Sequence, residues 1–518
     1  MTVAIRTPEP ALRPGNGADP VADVEVELRR TIGQIFNRRP AVGLAVGVIR
    51  DQQLAFFYGH GLADIASKTP MSEDTVFRVG SITKLFTAIA VMQLSEQRLI
   101  DLDAPANGYL RAYGLVAAEA GWRPATLRHL LTHTAGIPEI RGLADLLQSD
   151  LTPSGGRPAI LSVKFGEPLP SLAEYYRDGL RIVVEPGTAF AYTNHGFATL
   201  GQIVEDVSGL PLEQYFRERV FEPLGMADTD LVRSGRVASR LATGYVLGRS
   251  GAKPVPDRDW TGQGAGGIYS TTRDIARFAA ALLAGGANQH GAILEPATLA
   301  TMFEPHYQPD PRIPGIGLGF FRGEVGGHRT VGHDGILPGF NSHLLLAPDD
   351  GVGVIAFTNG SRGAVSWLQI ELDRLLRQLL AVSDQIVRRD IPHHPEIWAD
   401  LCGRYVFQPR IGDLRGRLML SGGAEVFVGG GRLKVRLLTP APAPFRGLPL
   451  EPDDEWRDRV RDALPLLPAR FDAVAAAFVL THVPDDAGAL CAMIDVLRPG
   501  GRLAISAWAR SPSGTPPG

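Results

Sequence analysis

The chain has 518 residues, too many for one ordinary domain, and its 44% hydrophobic and 21% charged composition describes a globular protein with enough apolar material for a large core. A formal net charge of -3 carries no basic excess, so charge gives no sign of a nucleic-acid partner. The two cysteines, Cys402 and Cys491, match no metal-ligand spacing and offer no disulfide framework; neither a metal nor a cofactor is expected.

Residues 1–20, "MTVAIRTPEPALRPGNGADP", read as a flexible tail whose prolines and charges break any signal-peptide-like apolar run. No later apolar run reaches membrane-spanning length, which makes a cytoplasmic protein the default, with association with the cell envelope left open. Val24, Leu28, Ile32 and Ile35 then repeat at helical spacing, and "AVGLAVGVIRDQQLAFFYGHGLAD" gives two strand-like runs about a polar turn, a hairpin.

The next stretch, "FRVGSITKLFTAIAVMQL", sets Ser81 and Lys84 one helical turn apart at the start of a helix with an apolar stripe of Leu85, Ile89 and Met92. A hydroxyl is a poor nucleophile until a base takes its proton; a lysine buried near a helix N-terminus has its charged form penalised and can be that base. Arginine could not, because its guanidinium stays protonated, and this chain otherwise prefers arginine: only Lys68, Lys84, Lys164, Lys253 and Lys434 are lysines among 52 basic residues. A second Ser-x-x-Lys, Ser250 to Lys253, lies among glycine and proline that preclude a buried helix, and reads as coincidence.

Helical patterns then alternate with loops such as "QSDLTPSGGRP", as in a helical region inserted into a sheet. Within it Tyr192, Thr193 and Asn194 precede a helix bearing Phe197, Leu200, Ile203, Val204 and Val207. Beside a cationic lysine the Tyr192 phenol would ionise more easily and serve as general base or proton carrier; the plainer alternative is a core tyrosine with a satisfied hydroxyl. In "RTVGHDGILPGFNSHLLLAP", His333, Asp334 and Gly335 stand at the edge of a resumed sheet, where the N–H of Ile336 can pair with that of Ser81 as an oxyanion hole and His333 would project toward substrate. "GVGVIAFTN" and the amphipathic "AVSWLQIELDRLLRQLLAV" close the unit near residue 382.

A linker over 383–398 leads to short β-like runs over 399–452, "GRYVFQP", "GRLMLSG", "AEVFVGG" and "RLKVRLL". Residues 453–518 change pattern again, with "FDAVAAAFVLTHVPDD", a helical "AGALCAMIDVL" and a strand-like "RLAISAW".

Ser-x-x-Lys, Tyr-x-Asn and His-Asp-Gly, in that order, resemble the three motifs of the serine β-lactamase and penicillin-binding-protein superfamily, in its class C β-lactamase, D,D-peptidase and esterase branch. The likeness extends through "LRHLLTHTAGIP", "EPGTAFAYTN", "FEPLGMADT" and "GAGGIYSTTRDIARFAAALL", over residues 21–382. It implies an α/β (α+β) β-lactamase/transpeptidase-like fold: an antiparallel sheet flanked by helices, plus an all-helical region. It further implies that Ser81 is acylated, that Lys84 and Tyr192 share proton transfer, and that Asn194, His333, Gly335 and Ile336 bind substrate. His133 and His195 are read as structural. The absence of a Gly-x-Ser-x-Gly elbow disfavours an α/β-hydrolase.

The substrate implied is a small ester, amide or D-amino peptide, with β-lactam binding as a side activity. His333 in place of the family's lysine removes a fixed cation from the third motif and shifts expectation toward substrates without a carboxylate on that side. An acyltransferase using the same acyl-enzyme and a catalytically idle recognition scaffold are the alternatives. The 399–452 unit is similar to the start of a lipocalin-like domain with too few strands for a barrel, so its edges offer a surface for homo-oligomerisation. Residues 453–518 are similar to the C-terminal half of S-adenosylmethionine-dependent methyltransferases, but the upstream strand, glycine-rich loop and helix that would hold the cofactor are absent, which implies a remnant.

Overall fold

The computed structural model describes residues 20–39, 41–139, 161–248, 251–309, 314–361, 367–382, 395, 398–405, 424–437, 448–454, 457–460, 473–475 and 502–504. One of its two seven-stranded sheets consists of β1 (Gly43–Arg50), β2 (Gln53–Asp64), β3 (Thr69–Pro70), β4 (Phe321–Val325), β5 (His328–Leu337), β6 (Phe340–Ala347) and β7 (Val352–Thr358). They lie in the order β4-β5-β6-β7-β1-β2-β3, every neighbour antiparallel. The hairpin expected at "RDQQ" turns on Asp51 and Gln52, both at positive φ (51 and 59°), the handedness that matches the twist of the flanking strands.

Both faces of this sheet are covered, which is why "GLAVGVI" and "VGVIAFT" read as continuous apolar runs instead of alternating ones. On one face Leu44, Val46, Val48, Val354 and Ala356 meet helix α1 (Pro20–Arg38) and a C-terminal helix, α5 (Leu368–Leu379), through Leu28, Ile32 and Ile35 of the first and Leu372, Leu375 and Leu376 of the second. A buried pair, Arg39 Nε to Glu371 Oε1 at 3.0 Å, ties the two helices together. The alternate residues, Ala45, Ile49, Ile355 and Phe357, enter the main core with α2 (Thr83–Glu96), α3 (Asn194–Ser208) and α4 (Thr272–Leu283). Phe86 of α2 stacks on Phe278 of α4 with centroids 4.0 Å apart.

Helix α2 departs from the expected stripe. Every residue from Thr83 to Leu94 is buried, so Leu85, Ile89 and Met92 are part of an apolar surface that runs all round a central helix. This raises the significance of Lys84, which has no polar face to occupy.

The strand at Val76–Arg78 pairs with Tyr269–Thr271 and delivers the chain into a 3-10 turn, Gly80–Ile82, that runs directly into α2. Beyond α5, strands Gly403–Tyr405, Ala424–Gly429, Arg432–Leu437, Leu448–Asp454 and Arg457–Val460 form an antiparallel run. The same sheet continues through Arg502–Ala504 to Ala473–Ala475, these last two being parallel. The expected strand in "GRLMLSG" and helix in "AGALCAMIDVL" lie outside the described residues. Among the described residues no helix is long and apolar enough to cross a membrane.

Candidate active site

Ser81 sits at the first turn before α2, where N–H groups have no intrahelical carbonyl to bond. Gly80 holds a left-handed φ of 55°, and a Cβ there would stand 3.2 Å from the backbone N of Ile336. The chain can therefore bring Ser81 hard against β5 only with glycine at this position.

Lys84 is 0% exposed, and its amine lies within hydrogen-bond distance of three oxygen atoms. Its Nζ is 2.8 Å from Ser81 Oγ, 2.7 Å from Asn194 Oδ1 and 2.8 Å from the carbonyl of Ala265. Burial lowers its pKa to about 7, against the opposing pull of Glu139 and Asp334. A neutral amine donates two hydrogen bonds and accepts one, and the fit is complete if it donates to Asn194 and Ala265 and accepts from Ser81.

Tyr192 completes the arrangement from the other side, its hydroxyl donating to Ser81 Oγ at 2.7 Å. The expectation of an easily ionised phenol fails: burial pushes the Tyr192 pKa well above its ordinary value. The effect of desolvation exceeds any help from Lys84, whose Nζ lies 4.7 Å from the ring centroid. Tyr192 is thus a protonated phenol at neutral pH, suited to carry a proton and not to act as a resting phenolate. His133 packs against its ring with centroids 4.4 Å apart and accepts the Thr193 N–H on Nδ1 at 3.3 Å. Burial holds that imidazole neutral.

Asn194 is oriented by a residue the sequence did not single out. Glu139, buried at the end of "HTAGIPE", accepts the Asn194 backbone N–H on one carboxylate oxygen and the Asn194 Nδ2–H on the other, both at 2.7 Å. This double grip leaves Asn194 Oδ1 facing Lys84. The Glu139 carbonyl in turn lies 3.0 Å from Nε2 of His195, whose Nδ1 is 2.6 Å from the Tyr176 hydroxyl. His195 is structural, as expected.

The third motif lies on β5, which is not an edge strand. β4 covers it from His328 to Gly332 and then stops, so only 333–337 present a free outer edge, and that edge faces Ser81. Leu337 and Phe340 flank a two-residue turn; the alternation of bonded and non-bonded pairs then directs the Ile336 N–H away from β6 and toward Ser81. A Cβ on Gly335 would overlap Val79 O and Ser342 Oγ and stand 3.0 Å from Ser81 N. Ser342 secures the contact by donating to Val79 O at 2.7 Å. Two N–H groups, of Ser81 and Ile336, thus converge where an oxyanion would form.

His333 does not project as expected. It is 2% exposed, flanked by Phe321 and Tyr192 with centroids 4.8 and 6.2 Å away, and burial lowers its pKa to about 3. Its Nδ1 lies 2.6 Å from the Asp334 carbonyl. A neutral, packed imidazole neither protonates a substrate nor supplies a cation; it supports Tyr192. Asp334, pointing the other way along the pleat, bonds Gln369 of α5. Lys253, of the second Ser-x-x-Lys, is exposed on a strand at Gly251–Pro254.

Among the described residues no cluster of His, Cys, Asp or Glu is placed to hold a metal. What is assembled is a serine hydroxyl between an amine poised near neutrality and a protonated phenol, facing two convergent N–H groups.

Residues 28–376 match the Beta-lactamase family, and residues 454–505 match a Methyltransferase domain. The chain is 27% identical over 350 residues to unguisins hydrolase ungD' of Aspergillus campestris, covering 65% of this chain and 62% of that protein. It is 29% identical over 332 residues to penicillin-binding protein 4 of Amycolatopsis lactamdurans, covering 62% and 81%. It therefore spans less than two thirds of the length of the first of these relatives. In fold it is similar to the octameric penicillin-binding protein homologue from Pyrococcus abyssi, with a TM-score of 0.58, 24% identity, and 84% of this chain and 92% of that one covered.

Proposed function

The chain belongs to the Beta-lactamase family, and on that premise we propose that it is a serine hydrolase that forms an acyl-enzyme at Ser81 with a carboxylic ester or amide. The observation that carries this is the placement of Ser81 Oγ 2.8 Å from Lys84 Nζ and 2.7 Å from Tyr192 Oη. Neutral Lys84 takes the Ser81 proton as Oγ attacks the carbonyl carbon, and the oxygen that gains negative charge is met by the N–H groups of Ser81 and Ile336. As the tetrahedral intermediate collapses, Tyr192 gives its proton to the departing alkoxide or amine and recovers one from the Lys84 ammonium. Water then repeats the sequence in reverse and releases the acid.

Glu139 and Asn194 keep Lys84 aligned, and His133 and His333 keep Tyr192 aligned. A cationic grip on a leaving-group carboxylate is not offered by His333, which favours esters and amides that lack one on that side. The names of two relatives, a hydrolase and a penicillin-binding protein, support the same chemistry. The edges of the C-terminal sheet supply a surface for self-association. Hydrolysis of a chromogenic ester by the parent and by Ser81→Ala tests the reading: loss of turnover in a folded variant is expected, and undiminished turnover would overturn it.

A further inference from the structure

The amine of Lys84 keeps its lone pair on Ser81 only while both of its acceptors stay in place. Glu139 fixes one of them, Asn194 Oδ1. The other is the Ala265 carbonyl, within a single turn of helix, Gln263–Gly266. Four of the six residues 262–267 are glycine, so this backbone has few side chains of its own to hold its conformation. It is held from outside. A Cβ on Gly264 would stand 2.9 Å from the Phe197 carbonyl oxygen and 3.1 Å from Gly201 Cα, so glycine lets the turn lie directly on α3.

From the other side α2 grips the segment with three side chains, Thr83, Lys84 and Thr87, each of them 0% exposed. Thr83 Oγ1 accepts the Ile268 N–H at 3.1 Å, Lys84 Nζ lies 2.8 Å from the Ala265 carbonyl oxygen, and Thr87 Oγ1 donates to the Gly264 carbonyl at 2.6 Å. Thr87 follows Lys84 by three residues, so the two side chains lie side by side and reach successive carbonyls. A threonine inside a helix commonly bonds the carbonyl four residues back. Here that oxygen, of Thr83, is 3.5 Å away, and the hydroxyl turns to Gly264 instead. The Ile268 carbonyl also accepts the Val79 N–H at 3.0 Å, which ties the same segment to the chain entering the Ser81 turn.

We infer that Thr87 is a positioning residue for the reaction: its hydroxyl, through the Gly264 carbonyl, holds the Ala265 carbonyl where it takes one hydrogen of the Lys84 amine and leaves the lone pair on Ser81 Oγ. This rests on the Ser81 reading above. The ammonium form of Lys84 donates to three acceptors and the neutral amine to two, so an Ala265 carbonyl that drifts away weakens the charged form more and favours the neutral one. The other ionisable groups around Lys84 are Glu139, Asp334, Tyr192, His133 and His333. Among the described residues none of these bonds Thr87 or residues 262–268, so a shift in the Lys84 titration on changing Thr87 reads the Ala265 contact.

Thr87→Val keeps the shape and lacks the hydroxyl. With a chromogenic ester, kcat should fall about tenfold with little change in KM, because Thr87 touches no substrate. The rising limb of kcat/KM should move to lower pH by about half a unit or more. Thr87→Ser, which keeps the hydroxyl, should restore both. Lys84 is also read without turnover: the chain has only five lysines, so NMR of isotope-labelled lysine resolves its titration, the signal being identified by its loss in Lys84→Arg. Should valine prevent folding, Thr87→Ala makes the same comparison. A folded valine or alanine variant with parental kcat and parental Lys84 titration overturns the inference, and so does a fall in kcat without a shift of that titration, the mark of general damage. A serine variant as impaired as valine overturns it too, since packing and not the bond would then matter. Hydrolysis that survives Ser81→Ala sinks the catalytic reading instead, and the NMR titration is independent of it.

Discussion

Replacing Glu139 by glutamine probes how the site sets the protonation of Lys84. The carboxylate reaches Lys84 through one amide: Glu139 to Asn194 Nδ2 at 2.7 Å, and Asn194 Oδ1 to Lys84 Nζ at 2.7 Å. Opposite charges at roughly 7 Å across such a bridge, with an effective dielectric of about 20, attract by about 2 kcal/mol, or about 1.5 pKa units. Glu139 raises the Lys84 pKa toward about 7, whereas burial lowers it. Because turnover needs the neutral amine, kcat/KM of the parent should rise with pH and level off above about 7. In Glu139→Gln the ammonium loses a partner, so the rising limb should move to lower pH by about one unit or more. The plateau should fall as well, since glutamine cannot accept from both Asn194 N–H groups. A pH series from 4 to 9 with an ester of pH-independent reactivity reads both effects. A limb that stays put or moves to higher pH would refute the reasoning.

Gly335→Ala should reduce kcat/KM by about a hundredfold or more, because its Cβ would push β5 from Ser81 and open the oxyanion pair; steady-state kinetics on folded protein reads it, and near-parental rates would count against Ile336 as a donor. Arg39→Ala leaves Glu371 short of a buried partner and should cost about 3 kcal/mol of stability in denaturant unfolding, with little change in KM. A chain ending at residue 382 retains both faces of the large sheet and the whole of α5, and should fold and hydrolyse esters at near-parental rates. If the C-terminal sheet mediates self-association, that truncated chain should also show a lower oligomeric state by light scattering; an unchanged mass would remove the proposed role.

Much of the fold was legible because local periodicity and global packing agree. Ile32 and Ile35 on α1, the two runs of the first hairpin, and Leu372, Leu375 and Leu376 on α5 each announce the face they bury. Ser81, Lys84, Tyr192 and Asn194 were legible as side-chain chemistry at fixed spacing, and the structure brings all four together. What was not legible depends on depth and on backbone. The Ala265 carbonyl that holds Lys84 has no side-chain signature. Glu139 is one glutamate among many until the fold places it against α3. The protonation of Tyr192 came out opposite to simple expectation because it is set by desolvation, which no neighbour in sequence determines and which also keeps His333 neutral. The partial cover of β5 by β4 was equally hidden, since "FRGEV" carries no strong strand pattern.

The most direct test of the account is intact-mass spectrometry after incubation with a fluorescent penicillin and, separately, with a phosphonate ester, on the parent protein and Ser81→Ala. The account predicts a stoichiometric adduct on the parent with at least one probe, localised to the peptide bearing Ser81, and none on the variant. Labelling that persists in Ser81→Ala, or a folded parent that neither probe modifies, would contradict it.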